Sequence, residues 1–100
     1  MQWITVATPA FWSIEEFDTV HAQVRAQMGG EQDGLEARYV GTAEDGKLRV
    51  VALWESKAHA DRFFAETLGR ARTKALGREV GAPEVVGIDV ARSYLGEPAA

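Results

Sequence analysis

The stretch Val50–Phe64, VVALWESKAHADRFF, joins a strand pattern directly to a helix pattern. Up to Trp54 its residues are mainly β-branched, apolar or aromatic, a composition that favours a β-strand. Ser56 is a typical helix N-cap, and after it apolar residues recur at helical spacing. We therefore predict a strand that runs to about Ser56 and a helix that begins at about Lys57.

This second helix is predicted to bury one apolar stripe against a sheet. The stripe consists of residues spaced three or four apart along the helix, together with a pair of adjacent aromatics: Ala60, Phe63, Phe64, Thr67, Leu68 and Ala71. Gly69 is expected to divide the helix into two pieces because glycine weakens helices, and the second piece is expected to run to about Glu79.

An earlier strand and helix are predicted from residues 2–28. Gln2–Thr8 is rich in strand-forming residues and stops at Pro9. Ser13 and Glu16 have capping-box spacing, so a helix is expected to begin after Ser13 and to end at Gly29-Gly30. The apolar stripe of this helix is formed by Ile14, Phe17, Val20, Val24 and Met28.

Three further strands complete the pattern. Leu35–Ala43 and Lys47–Ser56 flank Glu44-Asp45-Gly46, which is a hairpin signal, and Glu84–Tyr94 reads as the last strand. The order βαββαβ predicts a ferredoxin-like, split βαβ, α+β fold: a four-stranded antiparallel sheet with both helices on one face. We expect one domain over residues 1–95 and a flexible tail over residues 96–100.

The strand that contains Leu48–Glu55 is apolar on both faces. One face presents Leu48, Val50, Ala52 and Trp54, whereas the other presents Val51 and Leu53, with Arg49 and Glu55 as its polar residues. Two helices can cover only one face of a sheet, so the other face needs a second cover. A second copy of the sheet would supply it, which predicts a homodimer packed through sheet faces. The alternative is that Val51 and Leu53 form an exposed patch.

Composition excludes several classes of function. The chain has 100 residues, 46% of them hydrophobic and 26% charged, with a net charge of -4, and its basic residues are interleaved with acidic ones. We therefore expect no nucleic-acid partner. The absence of cysteine excludes disulfides, thiolate metal sites and a cysteine nucleophile. No apolar run is long enough for a membrane span, so a cytoplasmic protein with no membrane partner is expected.

Together, the order of elements, the Trp-Glu-Ser strand end and the G-x-P-E-V sequence at Gly81–Val85 resemble the antibiotic biosynthesis monooxygenase-like proteins of the dimeric α+β barrel superfamily. The resemblance extends from Gln2 to about Leu95. It implies a homodimer and small-molecule chemistry, without specifying the reaction, because the superfamily includes cofactor-free oxygenases, haem-degrading enzymes and isomerases.

Two branches of the superfamily can be compared with this chain residue by residue. The haem-degrading members use an Asn, a Trp and a His, and the last two positions fall at Phe63 and near Thr73. The cofactor-free, quinone-forming oxygenases also use an Asn, with Trp and Tyr partners that Trp12, Trp54 and Tyr39 could supply. The chain has no asparagine. The resemblance therefore implies neither haem nor any other cofactor.

Three residues are candidates for catalysis in a pocket between the sheet and the helices. His21 lies between Phe17 and Val24 on the apolar stripe, where an imidazole can act as a general base. The alternative is a histidine at the edge of the stripe, bonded to water or to a backbone carbonyl. His59, in the first turn of the second helix, is a candidate partner or a surface residue. Tyr39 supplies a phenol that binds a ligand or finds a partner in the core.

Apolar and aromatic side chains are candidates for substrate binding: Trp12, Phe17, Val24, Trp54, Phe63 and Phe64. Trp12 precedes the first helix and is either a gate to the pocket or a hydrophobic staple. We find no phosphate-binding glycine loop and no spacing typical of a metal site.

The favoured function is a cofactor-independent, oxygenase-like enzyme that acts on an apolar aromatic or polyketide-like small molecule. A cofactor-free isomerase or cyclase, and a non-catalytic ligand-binding or structural dimeric module, are the alternatives.

Overall fold

Four strands and an interrupted second helix follow each other in the expected order in a computed structural model of the chain. The structure describes residues 2–9, 13–30, 32–77, 83–94 and 96. The elements are β1 (Trp3–Thr8), α1 (Ile14–Met28), β2 (Leu35–Thr42), β3 (Leu48–Trp54), α2 (Lys57–Arg62), a π-helical segment (Phe63–Leu68), α3 (Gly69–Leu76) and β4 (Glu84–Asp89).

The strands form one antiparallel sheet in the order β2-β3-β1-β4. Each helical connection crosses one strand: the α1 connection passes over β3, and the connection through α2 and α3 passes over β1. This topology confirms the predicted ferredoxin-like α+β fold. No helix among the described residues is long and apolar enough to cross a membrane.

The first helix begins and ends where its capping residues predict. The Ser13 hydroxyl accepts the backbone N–H of Glu16 at 3.1 Å, and Gly29 ends the helix in the left-handed conformation, with φ 71°. Val20 and Val24 are fully buried. They anchor α1 on the sheet, whereas Ile14 and Met28 at its two ends are partly exposed.

The second helical region differs from the prediction at two points. Gly69 has ordinary right-handed helical angles and does not divide the helix; the irregularity is the π-helical segment that precedes it. The helix ends at Gly77, whose N–H bonds to the Thr73 carbonyl at 2.9 Å, rather than at about Glu79. Residues 78–82 lie outside the described part of the chain.

The stripe predicted for this helix faces the core. Its members Ala60, Phe63, Leu68 and Ala71 are buried, while Phe64 and Thr67 are half-buried. The rings of Phe63 and Phe64 both contact Trp54, with centroid distances of 5.3 Å and 6.5 Å. The core therefore centres on one tryptophan at the end of β3.

The β2–β3 hairpin is closed by a polar turn. Asp45 accepts the backbone N–H of Lys47 at 2.9 Å and pairs with Arg49 at 2.7 Å. These contacts, the backbone bond first, lower the pKa of the Asp45 carboxyl below its ordinary value. The last strand is shorter than predicted: β4 ends at Asp89 instead of Tyr94.

Strand register separates a covered face from an open one. Trp3, Thr5 and Ala7 lie opposite Trp54, Ala52 and Val50 on the face that the helices cover. The open face is mostly apolar and is formed by the residues of opposite parity: Ile4, Val6, Ala37, Tyr39, Gly41, Val51, Leu53, Val86 and Ile88, together with the polar Thr8, Arg49 and Glu84. Val86 on this face is 62% exposed.

Candidate functional site

A small apolar cavity lies between α1, the π-helical segment and the covered face of the sheet. Its volume is about 40 Å³. All of its fifteen lining residues fall in these elements or next to them, and they include Thr5, Val20, Val24, Ala52, Trp54, Phe63 and Leu68. The Trp54 indole N–H donates to the Thr5 hydroxyl at 3.0 Å, so the largest buried side chain has its polar atom satisfied.

A wider groove opens beside this cavity, between α1 and the edge strand β2. Its volume is about 400 Å³, and its walls comprise Leu35, Glu36, Ala37 and Val40. Three further residues, Phe17, His21 and Arg38, line both the groove and the cavity. The cavity and the groove therefore meet at these three side chains.

His21 stands at this junction because of its position on α1. It is one turn after Phe17 and one residue after the buried Val20, which places it at the margin of the buried stripe. Its ring stacks on Phe17 with a centroid distance of 5.7 Å and an interplanar angle of 15°. Stacking fixes the imidazole plane, and the side chain lines both the cavity and the groove.

Arg38 brings a positive charge to the same junction. Its guanidinium carbon lies 5.4 Å from the centroid of the Phe63 ring, at a cation–π distance, and the side chain is half-buried. Sequence reasoning missed this residue, although a signal was present. Counting back from the Ala43–Lys47 turn pairs Arg38 with Ala52, which places it on the covered face.

Tyr39 lies on the other side of the sheet. It pairs with Val51 on the open face and is 70% exposed. Successive strand residues alternate between faces, so if Arg38 faces the helices then Tyr39 does not. The prediction that Tyr39 assists His21 in one cavity is therefore wrong within a protomer.

His59 is also absent from the lining of the cavity and of the groove. Its Nδ1 is 2.7 Å from the Ser56 hydroxyl, and its Nε2 lies 3.7 Å from Glu55 and 3.9 Å from Asp33. Ser56 caps α2, so this cluster belongs to the start of that helix. The structure does not bring His59 together with His21. His59 lies at the start of α2, outside both the cavity and the groove.

Gly34 provides a test of how tightly His59 packs. Its φ is +80°, and a Cβ added there would lie 2.3 Å from His59 Cγ. We expect Gly34→Ala to lower the free energy of unfolding by about 1–3 kcal/mol more than Gly46→Ala, measured by urea denaturation. Gly46 is the matched control, because its φ is +83° and no atom lies within 4 Å of an added Cβ. Equal losses for the two variants would show that His59 moves aside freely.

The apolar residues predicted to bind substrate fall in two groups. Phe17, Val24, Trp54, Phe63 and Phe64 all line the cavity. Trp12 lies outside the described residues. No group of three or more His, Asp or Glu side chains in the described ranges can hold a metal ion.

The fold and the site together define a ferredoxin-like α+β protein with an apolar cavity that opens to a groove under α1. No protein-family model and no curated protein sequence matches the chain. Solved structures do match over nearly all of its length. One, assigned as an antibiotic biosynthesis monooxygenase of Caulobacter crescentus, has a TM-score of 0.63 and 20% identity over 91% of each chain.

Two further solved structures show the same likeness. SnoaB, a cofactor-independent oxygenase of Streptomyces nogalater, has a TM-score of 0.58 and 20% identity over 96% of each chain. A dimeric ferredoxin-like protein of Jannaschia has a TM-score of 0.58 and 14% identity over 90% of this chain and all of its own. At these identities the likeness shows a shared fold.

Proposed function

We propose that this protein is a cofactor-independent oxygenase that converts the activated CH₂ group of a planar aromatic, polyketide-like substrate into a carbonyl. The observation that carries this proposal is the position of His21, a proton acceptor that lines both an apolar cavity and an adjoining groove. The fold shared with SnoaB, a cofactor-independent oxygenase, supports it.

The groove is the part of the site that receives the ring system. An apolar cavity of about 150 Å³ binds benzene, and the cavity here, at about 40 Å³, is much smaller. The groove, at about 400 Å³, falls within the range of small-molecule sites. The substrate therefore lies in the groove with its reacting edge at the mouth of the cavity, against His21.

The reaction balances without an added reductant. His21 takes a proton from the acidic C–H or O–H of the substrate, and the electron-rich anion reduces O₂ and forms a peroxide at the former CH₂ carbon. The proton returns from His21 to the peroxide, and loss of water then leaves the carbonyl, so that CH₂ and O₂ give C=O and H₂O. Apolar walls formed by Val20, Val24 and Phe63 keep bulk water from the anion.

Oxygen uptake with anthrone as the probe tests this proposal. We expect one O₂ consumed per anthraquinone formed, at a rate proportional to protein concentration and above the autoxidation rate in buffer. An oxygen electrode and the absorbance of anthraquinone measure the two quantities. A rate no greater than that with heat-denatured protein would contradict the proposal.

A non-catalytic binding module is the second candidate, and the small volume of the cavity favours it. It predicts saturable binding of the same aromatic probe without oxygen uptake. An isomerase or cyclase would use the same proton transfer but would turn over its substrate equally well under argon.

We also propose that the protein is a homodimer formed through the open sheet face. Val86 and Ile88 on this face are 62% and 45% exposed, and half-buried Ile4, Val51 and Leu53 continue the apolar surface. A large exposed apolar face marks an interaction surface, and a two-fold axis would bury it against the same face of a second copy. The Jannaschia protein of the same fold is dimeric.

A single charge on this face should separate the dimer. We expect wild-type protein to sediment at twice 10.9 kDa and Val86→Glu to sediment as a monomer at the same concentration, because the carboxylate would be buried unpaired in the interface. Ala26→Glu, on the exposed surface of α1, is the matched control and should stay dimeric. A monomeric wild type would rule out this assembly.

A further inference from the structure

The small cavity beneath α1 has a volume that suits a very small molecule. A water molecule needs about 10–15 Å³ of such space, whereas an apolar cavity of about 150 Å³ binds benzene. The volume of this cavity, about 40 Å³, lies between these two values. Its size therefore suits a molecule of two or three heavy atoms better than an aromatic ring.

The walls of the cavity favour an apolar occupant. They are almost entirely apolar, and the buried Val20, Val24 and Ala52 are among them. Thr5 also lines the cavity, but its hydroxyl accepts the indole N–H of Trp54 at 3.0 Å. A buried water molecule typically makes about three hydrogen bonds, which apolar walls cannot supply. An apolar molecule gains free energy when it leaves water for surroundings of this kind.

The position of the cavity suits a second reactant. Phe17, His21 and Arg38 line both the cavity and the groove, so the two spaces adjoin. The proposed function places the ring system of the substrate in the groove, with its reacting edge at the mouth of the cavity. A small molecule held in the cavity lies next to that edge, and this proximity replaces a collision from bulk solvent.

We propose that this cavity is the binding site for dioxygen. O₂ is apolar and has two heavy atoms, so it fits both the walls and the volume of the cavity. The inference rests on the proposed function, because O₂ is the co-substrate of that reaction. One oxygen atom bonds to the substrate carbon, using the electron pair of the substrate anion, and becomes the carbonyl oxygen. The other is the terminal atom of the peroxide and leaves as water.

The affinity of the cavity for O₂ is weak. The binding free energy available per heavy atom limits a ligand of two atoms to a dissociation constant of about millimolar or weaker. We therefore expect turnover to rise in proportion to the O₂ concentration up to air saturation. For the same reason, a direct measurement of binding requires O₂ under pressure.

NMR locates O₂ directly, because O₂ is paramagnetic. Methyl relaxation rates of ¹³C-methyl-labelled protein are measured under O₂ and under the same pressure of argon. Val20 and Val24 line the cavity and are 1% exposed, so O₂ in the solvent does not contact them. We expect their relaxation to increase at least as much as that of Val86, which is 62% exposed. Leu48 is the matched control: it is 4% exposed, does not line the cavity, and should show little increase.

Two variants connect the cavity to turnover. Val24→Ile adds a methylene group to the cavity wall and should reduce kcat/KM for O₂ in the anthrone assay by at least about tenfold, with KM for anthrone unchanged. It should also lower the relaxation increase at Val20 to the level seen at Leu48. Val40→Ile adds the same group to the groove alone, so it should change KM for anthrone and leave kcat/KM for O₂ as it is.

A relaxation increase at Val20 and Val24 no larger than that at Leu48 overturns the oxygen site and leaves the proposed function standing. Loss of the increase at Val20 in Val24→Ile without a loss in kcat/KM for O₂ also overturns it. If Val24→Ile does not fold, Val20→Ile changes the same wall, with the increase then read at Val24. The relaxation measurement needs no substrate, so absence of catalysed oxygen uptake overturns the proposed function separately.

Discussion

Replacing Trp54 with alanine should lower the free energy of unfolding by about 3–5 kcal/mol. Trp54 is 0% exposed and lies against both Phe63 and Phe64, so its removal leaves a large void in the core. Small domains have a total stability of about 5–15 kcal/mol, so the variant should unfold at a much lower urea concentration. Far-ultraviolet circular dichroism at fixed protein concentration measures the transition.

The hydrogen bond from the Trp54 indole N–H can be tested separately from the packing of its ring. Thr5→Val removes the acceptor of the indole N–H and should cost about 1–3 kcal/mol, because the donor is left unpaired in the core. Trp54→Phe combined with Thr5→Val removes both partners and should be less destabilised than the sum of the two single variants. A loss below about 1 kcal/mol for Trp54→Ala would contradict the central place of this residue in the core.

Replacing His21 with phenylalanine should reduce the oxygen-dependent turnover of anthrone by about 100- to 10,000-fold, the usual contribution of a general base. The change removes the proton acceptor at the junction of cavity and groove and leaves a ring that can still stack on Phe17. Initial rates of oxygen uptake, corrected for autoxidation, measure the loss.

His59→Gln is the control for this prediction, because His59 lies at the start of α2 and lines neither the cavity nor the groove. Its turnover should stay close to that of the wild type. A His21→Phe protein that folds and keeps its turnover would contradict the role of His21 as the general base.

Most of the fold could be predicted because local signals agree with the tertiary structure. Ser13, Gly29 and the stripe through Val20 and Val24 define α1 in the sequence and in the structure alike. The turn at Gly46 and the helix cap at Ser56 bound β3 and α2 in the same way. In each case a short-range preference and a buried contact favour the same conformation.

The second helix shows where local preference fails. Gly69 lowers helix propensity by up to about 1 kcal/mol, yet packing of Leu68 and Ala71 on either side keeps the helix continuous. No local sequence pattern predicts the π-helical segment. It accompanies a tertiary contact, the packing of the adjacent Phe63 and Phe64 around Trp54. The end of β4 is set by the length of β1, the strand with which it pairs among the described residues.

The residues of the candidate site also differ in whether local sequence could place them. His21 could be located from helical spacing alone, because one helix fixes its position relative to Val24. Arg38 and Tyr39 required the register of β2 on β3, and a shift of one residue exchanges their faces. Reading the pairing outward from the hairpin turn assigns both residues correctly.

The most direct test of the central claim is to locate a bound aromatic ligand by NMR. Protein with ¹³C-labelled methyl groups is titrated with 2-naphthol, and chemical-shift changes are read at each isoleucine, leucine and valine. The account predicts saturable changes at the cavity and groove methyls of Val20, Val24, Leu35 and Val40, and none at the open-face methyls of Ile4, Val51, Leu53 and Val86. Changes confined to the open face, or no saturable change at the cavity and groove, would contradict it.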